Sequence, residues 1–137
     1  MLKILGIDHV VFRTTKLEVM LHFYCQILGC TVERDKRTEN GLVQLRAGSA
    51  LIDIVQVDSE LGRLGGKPPQ QDGRNVDHIC LQLETIEQDK LIQFLEQHQV
   101  HYSDFALRYG ALGLTESIYI EDPEQNVIEL KPVIAKT

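Results

Sequence analysis

Two Asp-His dipeptides, Asp8-His9 and Asp77-His78, each stand near the start of a segment rich in apolar and β-branched residues. Further along the chain each is followed by an Ile-carboxylate pair, Ile52-Asp53 after the first and Ile128-Glu129 after the second. Imidazole and carboxylate groups are ligands of divalent transition metals. The spacing therefore indicates one module present twice, and we predict that its two halves together bind a metal through four side chains: His9, Asp53, His78 and Glu129.

This ligand chemistry suits Ni, Zn, Co, Mn or Fe. Two His and two carboxylates leave two positions of an octahedral shell for water or substrate oxygens, whereas two His and one carboxylate form the facial triad of non-haem iron. Asp53 is a fourth ligand in one interpretation and stays outside the shell in the other.

Two further side chains share a strand face with a candidate ligand, because alternate residues of a strand point the same way. Arg13 shares the face of His9 and is predicted to anchor an anionic substrate; a surface cation is the alternative. Cys80 shares the face of His78 and is predicted to line the substrate cavity, with packing as a small apolar residue as the alternative.

Each half reads as β-α-β-β-β. Thr15-Lys16-Leu17-Glu18 and Thr85-Ile86-Glu87-Gln88 have the form of capping boxes, and apolar residues at helical spacing follow each. Strands are predicted near residues 6–13, 31–34, 42–47 and 51–58, and again near 76–83, 100–104, 117–120 and 127–133. Segment 106–115 is interpreted as an insertion in the second half.

These elements predict a single domain over residues 1–137, made of two repeated modules at about 4–58 and 75–134. Residues 59–74 contain several Gly and Pro residues, which is typical of a linker.

Composition narrows the possible partners. The net charge of −6 argues against a general nucleic-acid or anionic-membrane surface. No uninterrupted apolar stretch is long enough to span a bilayer. Three cysteines, Cys25, Cys30 and Cys80, suit reduced thiols better than a disulfide framework, so we expect a cytoplasmic protein.

Four motifs carry a resemblance to a known family: Asp8-His9-Val10-Val11, residues 23–29 (FYCQILG), Asp77-His78-Ile79, and residues 118–130 (IYIEDPEQNVIEL). They resemble the vicinal oxygen chelate superfamily, which includes glyoxalase I, fosfomycin-resistance enzymes, extradiol dioxygenases and bleomycin-resistance proteins. The resemblance implies an α+β fold in which two βαβββ modules form a curved, cup-shaped mixed sheet with the helices outside, usually in a homodimer. The glyoxalase ligand positions match His9, Asp53, His78 and Glu129.

The resemblance implies a glyoxalase-like lyase or isomerase that acts on a small oxygen-chelating substrate, such as a thiol adduct of a 2-oxoaldehyde. In such an enzyme a carboxylate beside the metal, Glu129 or Asp53, would transfer the proton as general base. Arg13 matches a glutathione-contacting arginine of that family. Asp53 replaces its usual Glu or Gln, so both the three-ligand and the four-ligand set remain open, as does a site within one chain or between two.

Three alternatives stay open. A fosfomycin-type thiol transferase or hydrolase would use His9, His78 and Glu129, and an extradiol dioxygenase would hydrogen-bond its substrate through Tyr119. A metal-free binding protein of the bleomycin-resistance type comes last, because such grooves depend on aromatic stacking and this chain has no Trp and only 6% aromatic residues.

Overall fold

Both modules form a four-stranded mixed sheet. The computed structural model describes residues 1–135, and the chain divides between Asn75 and Val76 into two compact units. The strands of the first unit are β1 (His9–Thr14), β2 (Thr31–Lys36), β3 (Leu42–Ala47) and β4 (Ala50–Gln56), in the order β1-β4-β3-β2. Those of the second unit are β5 (His78–Leu83), β6 (Ala106–Gly110), β7 (Gly113–Glu121) and β8 (Val127–Pro132), in the order β5-β8-β7-β6.

The two units therefore repeat one topology. In each, the strand that begins with the His runs parallel to the last strand, and the remaining neighbours are antiparallel. A parallel pair needs a crossover connection, and each unit supplies a helix directly after its first strand. The fold class predicted from the sequence, two βαβββ modules, is confirmed.

The helix α1 (Leu17–Leu21) continues as a π-helical segment (His22–Ile27), and α2 comprises Gln88–Gln97. The first helical segment ends as expected at Gly29, whose φ of +82° is the left-handed conformation that favours glycine. No helix among residues 1–135 combines the length and the apolar character needed to cross a membrane.

The N-caps of the two helices lie one and two residues after the predicted cap residues Thr15 and Thr85. The N-cap residues are Lys16 and Glu87, and neither makes a side-chain capping hydrogen bond. The Lys16 N–H donates instead to Thr14 Oγ1 at 2.9 Å. The Thr85 hydroxyl donates to the Val133 carbonyl at 2.9 Å, so a contact distant in sequence takes the place of the local cap.

One face of each sheet is filled by apolar side chains. In the first unit this face includes Phe12, Leu45, Ile52 and Ile54, and the Phe12 ring lies 6.3 Å from that of Tyr24. In the second unit the buried sheet residues are Ile118, Ile120, Ile128 and Leu130, and α2 contributes buried Leu91 and Leu95. Because strand side chains alternate, the candidate ligands in β4 and β8 lie on the opposite face.

The second strand of the second half is not where the sequence predicted it. Residues 100–104 contain only an isolated bridge from Tyr102 to Ile120, while Ala106–Gly110 forms β6 and pairs with β7. Gly110 and Gly113 are paired across a two-residue turn, and Gly113 has a φ of +98°. The segment interpreted as an insertion is therefore a β-hairpin made possible by glycine at a left-handed position.

Candidate metal centre

His9 and Asp53 lie on neighbouring parallel strands of the first unit. In the pairing of β1 with β4, Val11 lies beside Asp53 and His9 lies beside Leu51. His9 is exposed, and its Nδ1 lies 2.6 Å from Asp8 Oδ1. This hydrogen bond, reinforced by the negative charge of Asp53, raises the pKa of the His9 imidazole. The first unit thus presents an imidazole held at one nitrogen by a carboxylate, with a second carboxylate nearby.

Asp53 carries a buried oxygen without a hydrogen-bond donor. The residue is only 3% exposed, and its Oδ2 accepts a hydrogen bond from the Gln44 side-chain amide at 3.2 Å. Its Oδ1 has no hydrogen-bond partner among the residues that the structure describes. Such an oxygen is costly to bury, and a bound cation removes that cost. The donor set of this half therefore fits a divalent metal.

His78 and Glu129 form the equivalent pair in the second unit. His78 Nδ1 lies 2.6 Å from Asp77 Oδ2, and His78 Nε2 lies 3.4 Å from Glu129 Oε1. Two ligands with metal–ligand bonds of about 2.0–2.2 Å at tetrahedral angles stand roughly 3.3–3.5 Å apart. The distance between His78 Nε2 and Glu129 Oε1 is therefore compatible with two ligands of one metal.

Asp8 and Asp77 have a role that the sequence prediction did not assign. A carboxylate at Nδ1 fixes the imidazole tautomer that leaves Nε2 with a lone pair for a metal, and it makes the ring more basic. The sequence pattern could have indicated this role, since in both units the Asp that bonds to the imidazole directly precedes the His.

The other two predicted residues of the second unit flank Glu129. Cys80 on β5 and Tyr119 on β7 are its Cα partners in the two strand pairs. The Tyr119 ring meets the His78 ring edge to face at 5.6 Å. Cys80 is exposed, yet desolvation by the neighbouring strands and the charge of Glu129 raise the pKa of its thiol to about 11. Cys80, Glu129 and Tyr119 thus form one row across the sheet beside His78.

Two cationic residues also border this row. The Arg108 guanidinium lies 4.2 Å from the centre of the Tyr119 ring, and its Nη1 donates to the Ser117 carbonyl and hydroxyl at 2.7 and 3.1 Å. The Lys131 ammonium is nearly buried, lies 3.9 Å from Glu129 Oε2, and donates to the carbonyls of Arg108 and Thr115. Sequence reasoning singled out neither residue, because both come into position only through pairing of β6, β7 and β8.

Arg13 is held by the segment between the modules. All five N–H groups of its guanidinium donate to backbone carbonyls, those of Gly62, Gly65, Gly66 and Lys67, at 2.7–3.1 Å. A Cβ on Gly65 would stand 2.3 Å from the Arg13 side chain, so this close approach requires glycine. Arg13 therefore fastens the Gly-rich segment to β1, and its contact with substrate stays a prediction.

Asn75 completes this attachment. Its side-chain amide exchanges two hydrogen bonds with the backbone of Arg13, at 2.9 and 3.0 Å. The segment predicted as a linker is thus tied to β1 at both its 62–67 turn and its end.

Each unit brings together two of the four predicted ligands, His9 with Asp53 and His78 with Glu129. Within residues 1–135 there is no group of three or more His, Cys, Asp or Glu side chains arranged to hold a metal ion.

Comparisons with known proteins agree with this fold. Residues 6–130 match the model of the Glyoxalase/Bleomycin resistance protein/Dioxygenase superfamily. The chain is 25% identical over 128 residues to the virulence protein STM3117 of Salmonella typhimurium, covering 93% of this chain and 84% of that protein. The crystal structure of that protein matches with a TM-score of 0.75 and 24% identity, covering 97% of this chain and 100% of that one.

A similar fold is found in FosX, the genomically encoded fosfomycin resistance protein of Listeria monocytogenes. Its TM-score is 0.72 at 18% identity, covering 96% of this chain and 94% of that one. The family match spans nearly the whole chain and both βαβββ units. The chain therefore belongs to the glyoxalase/bleomycin resistance/dioxygenase superfamily, whose members are vicinal oxygen chelate proteins.

Proposed function

We propose that the protein is a metal-dependent enzyme, a glyoxalase-like lyase or isomerase acting on a small oxygen-chelating substrate such as a thiol adduct of a 2-oxoaldehyde. The observation that carries this proposal is the Asp–His–carboxylate arrangement found in both units, with a buried Asp53 oxygen that lacks a donor. Superfamily membership supports it.

His9, Asp53, His78 and Glu129 would hold the metal, with Ni, Zn, Co, Mn and Fe as the candidate ions. A metal bound there supplies Lewis-acid polarisation of two substrate oxygens. The superfamily commonly works as dimers, so we propose a homodimer in which one site combines the ligands of a first module and a second module. The free cysteines of the chain suit a cytoplasmic enzyme.

The side chains divide the remaining work. Asp8 and Asp77 keep the two imidazoles oriented through Nδ1, so that each Nε2 is directed away from its aspartate. Glu129 is 5% exposed and acts as the base: it takes the proton from the hydroxyl-bearing carbon beside the substrate carbonyl and returns it to the former carbonyl carbon. The hydroxyl proton of the substrate passes to the former carbonyl oxygen, so that the product is an isomer. Asp53 is the second candidate for this transfer.

The test is elemental analysis of the purified protein with and without Glu129→Gln. We expect the substitution to lower the metal content strongly, because an amide oxygen is a weaker ligand than a carboxylate. Glu121→Gln is the matched control on an exposed residue of β7. Unchanged metal content in Glu129→Gln would remove the proposed site, and no isomerisation of the glutathione–methylglyoxal adduct with any of the five metals would remove that substrate.

A second candidate function is a fosfomycin-type thiol transferase or hydrolase. The observation in its favour is the position of Arg108, which stacks on Tyr119 beside His78. The Nε and Nη2 donors of Arg108 have no hydrogen-bond acceptor within residues 1–135. A guanidinium with free donors suits an anionic substrate group such as a phosphonate. FosX proteins share the fold.

Turnover of fosfomycin with glutathione or water separates this candidate from the first. We expect Arg108→Gln to raise KM about 10-fold or more for a phosphonate substrate, because one charge-assisted contact is lost. An equal KM in the variant would exclude Arg108 as the anion contact.

A further inference from the structure

A cavity of about 530 Å³ lies in the second unit, beside the row that contains Glu129. Its lining includes Gln82 on β5, Lys131 on β8 and Thr115 on β7. Gln82 and Lys131 are Cα partners, and they lie two residues further along their strands than the partners Cys80 and Glu129. Two residues of a strand span about 7 Å, so the cavity begins roughly that far from the candidate ligand and on the same face of the sheet.

The cavity wall is mostly apolar. Leu112 from the β6–β7 turn, and Val133 and Ile134 after β8, form much of it. Two hydrogen bonds of 2.9 Å fix the segment after β8: the Val133 N–H donates to the Leu83 carbonyl of β5, and the hydroxyl of Thr85, just after β5, donates to the Val133 carbonyl. Leu112 and Ile134 remain 67% and 72% exposed at its rim.

Lys131 contributes its hydrocarbon chain to the cavity and not a free charge. Its ammonium donates to the carbonyls of Arg108 and Thr115 and faces Glu129, so it is already paired. Gly110 leaves room for this placement, since a Cβ there would stand 3.1 Å from Lys131 Cε. A lysine held in this way presents an apolar stem. The cavity is therefore suited to a neutral group and not to an anion.

We propose that this cavity binds an apolar substituent of the substrate, an alkyl or aryl group of several carbons, while the oxygen atoms of the same molecule lie at His78 and Glu129. The inference rests on the proposed metal-dependent function and adds a substrate class to it. Ligand cavities of small-molecule sites have volumes of about 300–1,000 Å³, and this one falls within that range. Its shared sheet face with Glu129 argues for a small molecule that bridges the two.

The experiment compares two chelators that differ only in their tail, acetohydroxamate and octanohydroxamate, by calorimetric titration of the zinc-loaded full chain. We expect octanohydroxamate to bind on the order of 10–100-fold more tightly, because its methylene groups leave water. Ala135→Trp places a large side chain at an exposed lining position and should abolish this difference while changing acetohydroxamate affinity by less than about 2-fold. Val19→Trp, on an exposed position of α1, is the matched control.

Each outcome decides the inference. Equal affinities of the two hydroxamates overturn it and leave the metal site intact. If neither hydroxamate binds, the proposed metal site fails, and 1-octanol titrated into the metal-free protein then tests the cavity alone by NMR. Shifts at Leu112 and Ile134 that Ala135→Trp removes support an apolar binding site, and their absence overturns it. A change of oligomeric mass in Ala135→Trp by sedimentation would show that a second copy of the chain fills the cavity, which also overturns the inference.

Discussion

The two Asp-His dipeptides place a charged acceptor at Nδ1 of each candidate ligand. At 2.6 Å, both contacts are as short as charge-assisted hydrogen bonds. An imidazole fixed in this way loses less rotational freedom when it binds a metal, and its Nε2 is the more basic. The aspartates therefore matter to the proposed site although neither is a predicted ligand.

Asp77→Asn tests this role. We expect zinc affinity to fall about 10–100-fold, because the amide cannot hold the imidazole as a charged acceptor does. Competition with a chromogenic chelator measures the affinity. Asp72→Asn, an exposed aspartate of the Gly-rich segment, should leave it unchanged. Equal affinity of Asp77→Asn and the unaltered protein would show that the dipeptide contact has no part in metal binding.

Cys80 provides a second test at the same scale. Desolvation and the charge of Glu129 raise the pKa of its thiol from 9.0 to about 11, which lowers the thiolate fraction at pH 8 about 100-fold. We expect Cys80 of the metal-free protein to react with iodoacetamide far more slowly than glutathione does, despite its exposure. Glu129→Gln should accelerate labelling several-fold, since removing a negative charge lowers the thiol pKa.

Peptide mass spectrometry follows the labelling of Cys80 itself, and Glu121→Gln is the control. Labelling of Cys80 as fast as that of glutathione would contradict the environment assigned to the thiol.

At the scale of the element, the turn between β7 and β8 sets the position of Glu129. Asp122 Oδ1 accepts the backbone N–H groups of Glu124 and Asn126 at 2.9 Å, and its Oδ2 accepts the Asn126 side-chain amide at 2.8 Å. Both Asp122 and Asn126 are buried. This turn holds the register in which Tyr119 lies beside Glu129.

Gln125 in the same turn has a φ of +68°, a conformation that glycine adopts without strain. We expect Gln125→Gly to raise the free energy of unfolding by on the order of 0.5 kcal/mol, because relief of the left-handed strain exceeds the added entropy of the unfolded chain. Urea denaturation measures the change. Glu124→Gly, whose φ is not positive, should destabilise the protein, and a destabilised Gln125→Gly would refute the argument.

Sequence periodicity predicted most elements but not the place of β6. Residues 100–104 have apolar and aromatic character typical of a strand, yet the hairpin of 106–121 pairs with β8 because glycine permits the turn at 110–113. Strand pairing distant in sequence decides between two such segments, and local composition does not encode it. At Thr85 a related effect operates, because the hydroxyl bonds to the distant Val133 carbonyl and helix α2 begins two residues later than the capping box predicted.

For the whole molecule, duplication has a consequence for metal stoichiometry. Each unit contains one of the predicted imidazoles and one of the predicted buried carboxylates, and two protein ligands are fewer than the three or four of ordinary zinc sites. We therefore expect one metal ion per chain, measured by elemental analysis against protein concentration. Two ions per chain would show that each unit binds its own metal.

Asp53→Ala then distinguishes the three-ligand from the four-ligand site. We expect it to weaken metal affinity at least 10-fold, because the buried Oδ1 has no other described partner. Asp58→Ala, an aspartate just beyond β4, is the control. Unchanged affinity in Asp53→Ala would favour the site made of His9, His78 and Glu129 alone.

The sequence by itself determined the repeated βαβββ order and the chemical identity of the candidate ligands, since residue type and strand or helix period are local properties. Only the tertiary structure decided what those residues face. It directed all donors of Arg13 to the carbonyls of a distant Gly-rich segment, and it left one buried Asp53 oxygen without a donor. It also placed Arg108 on Tyr119, because hydrogen-bonded strands bring together side chains that lie far apart along the chain.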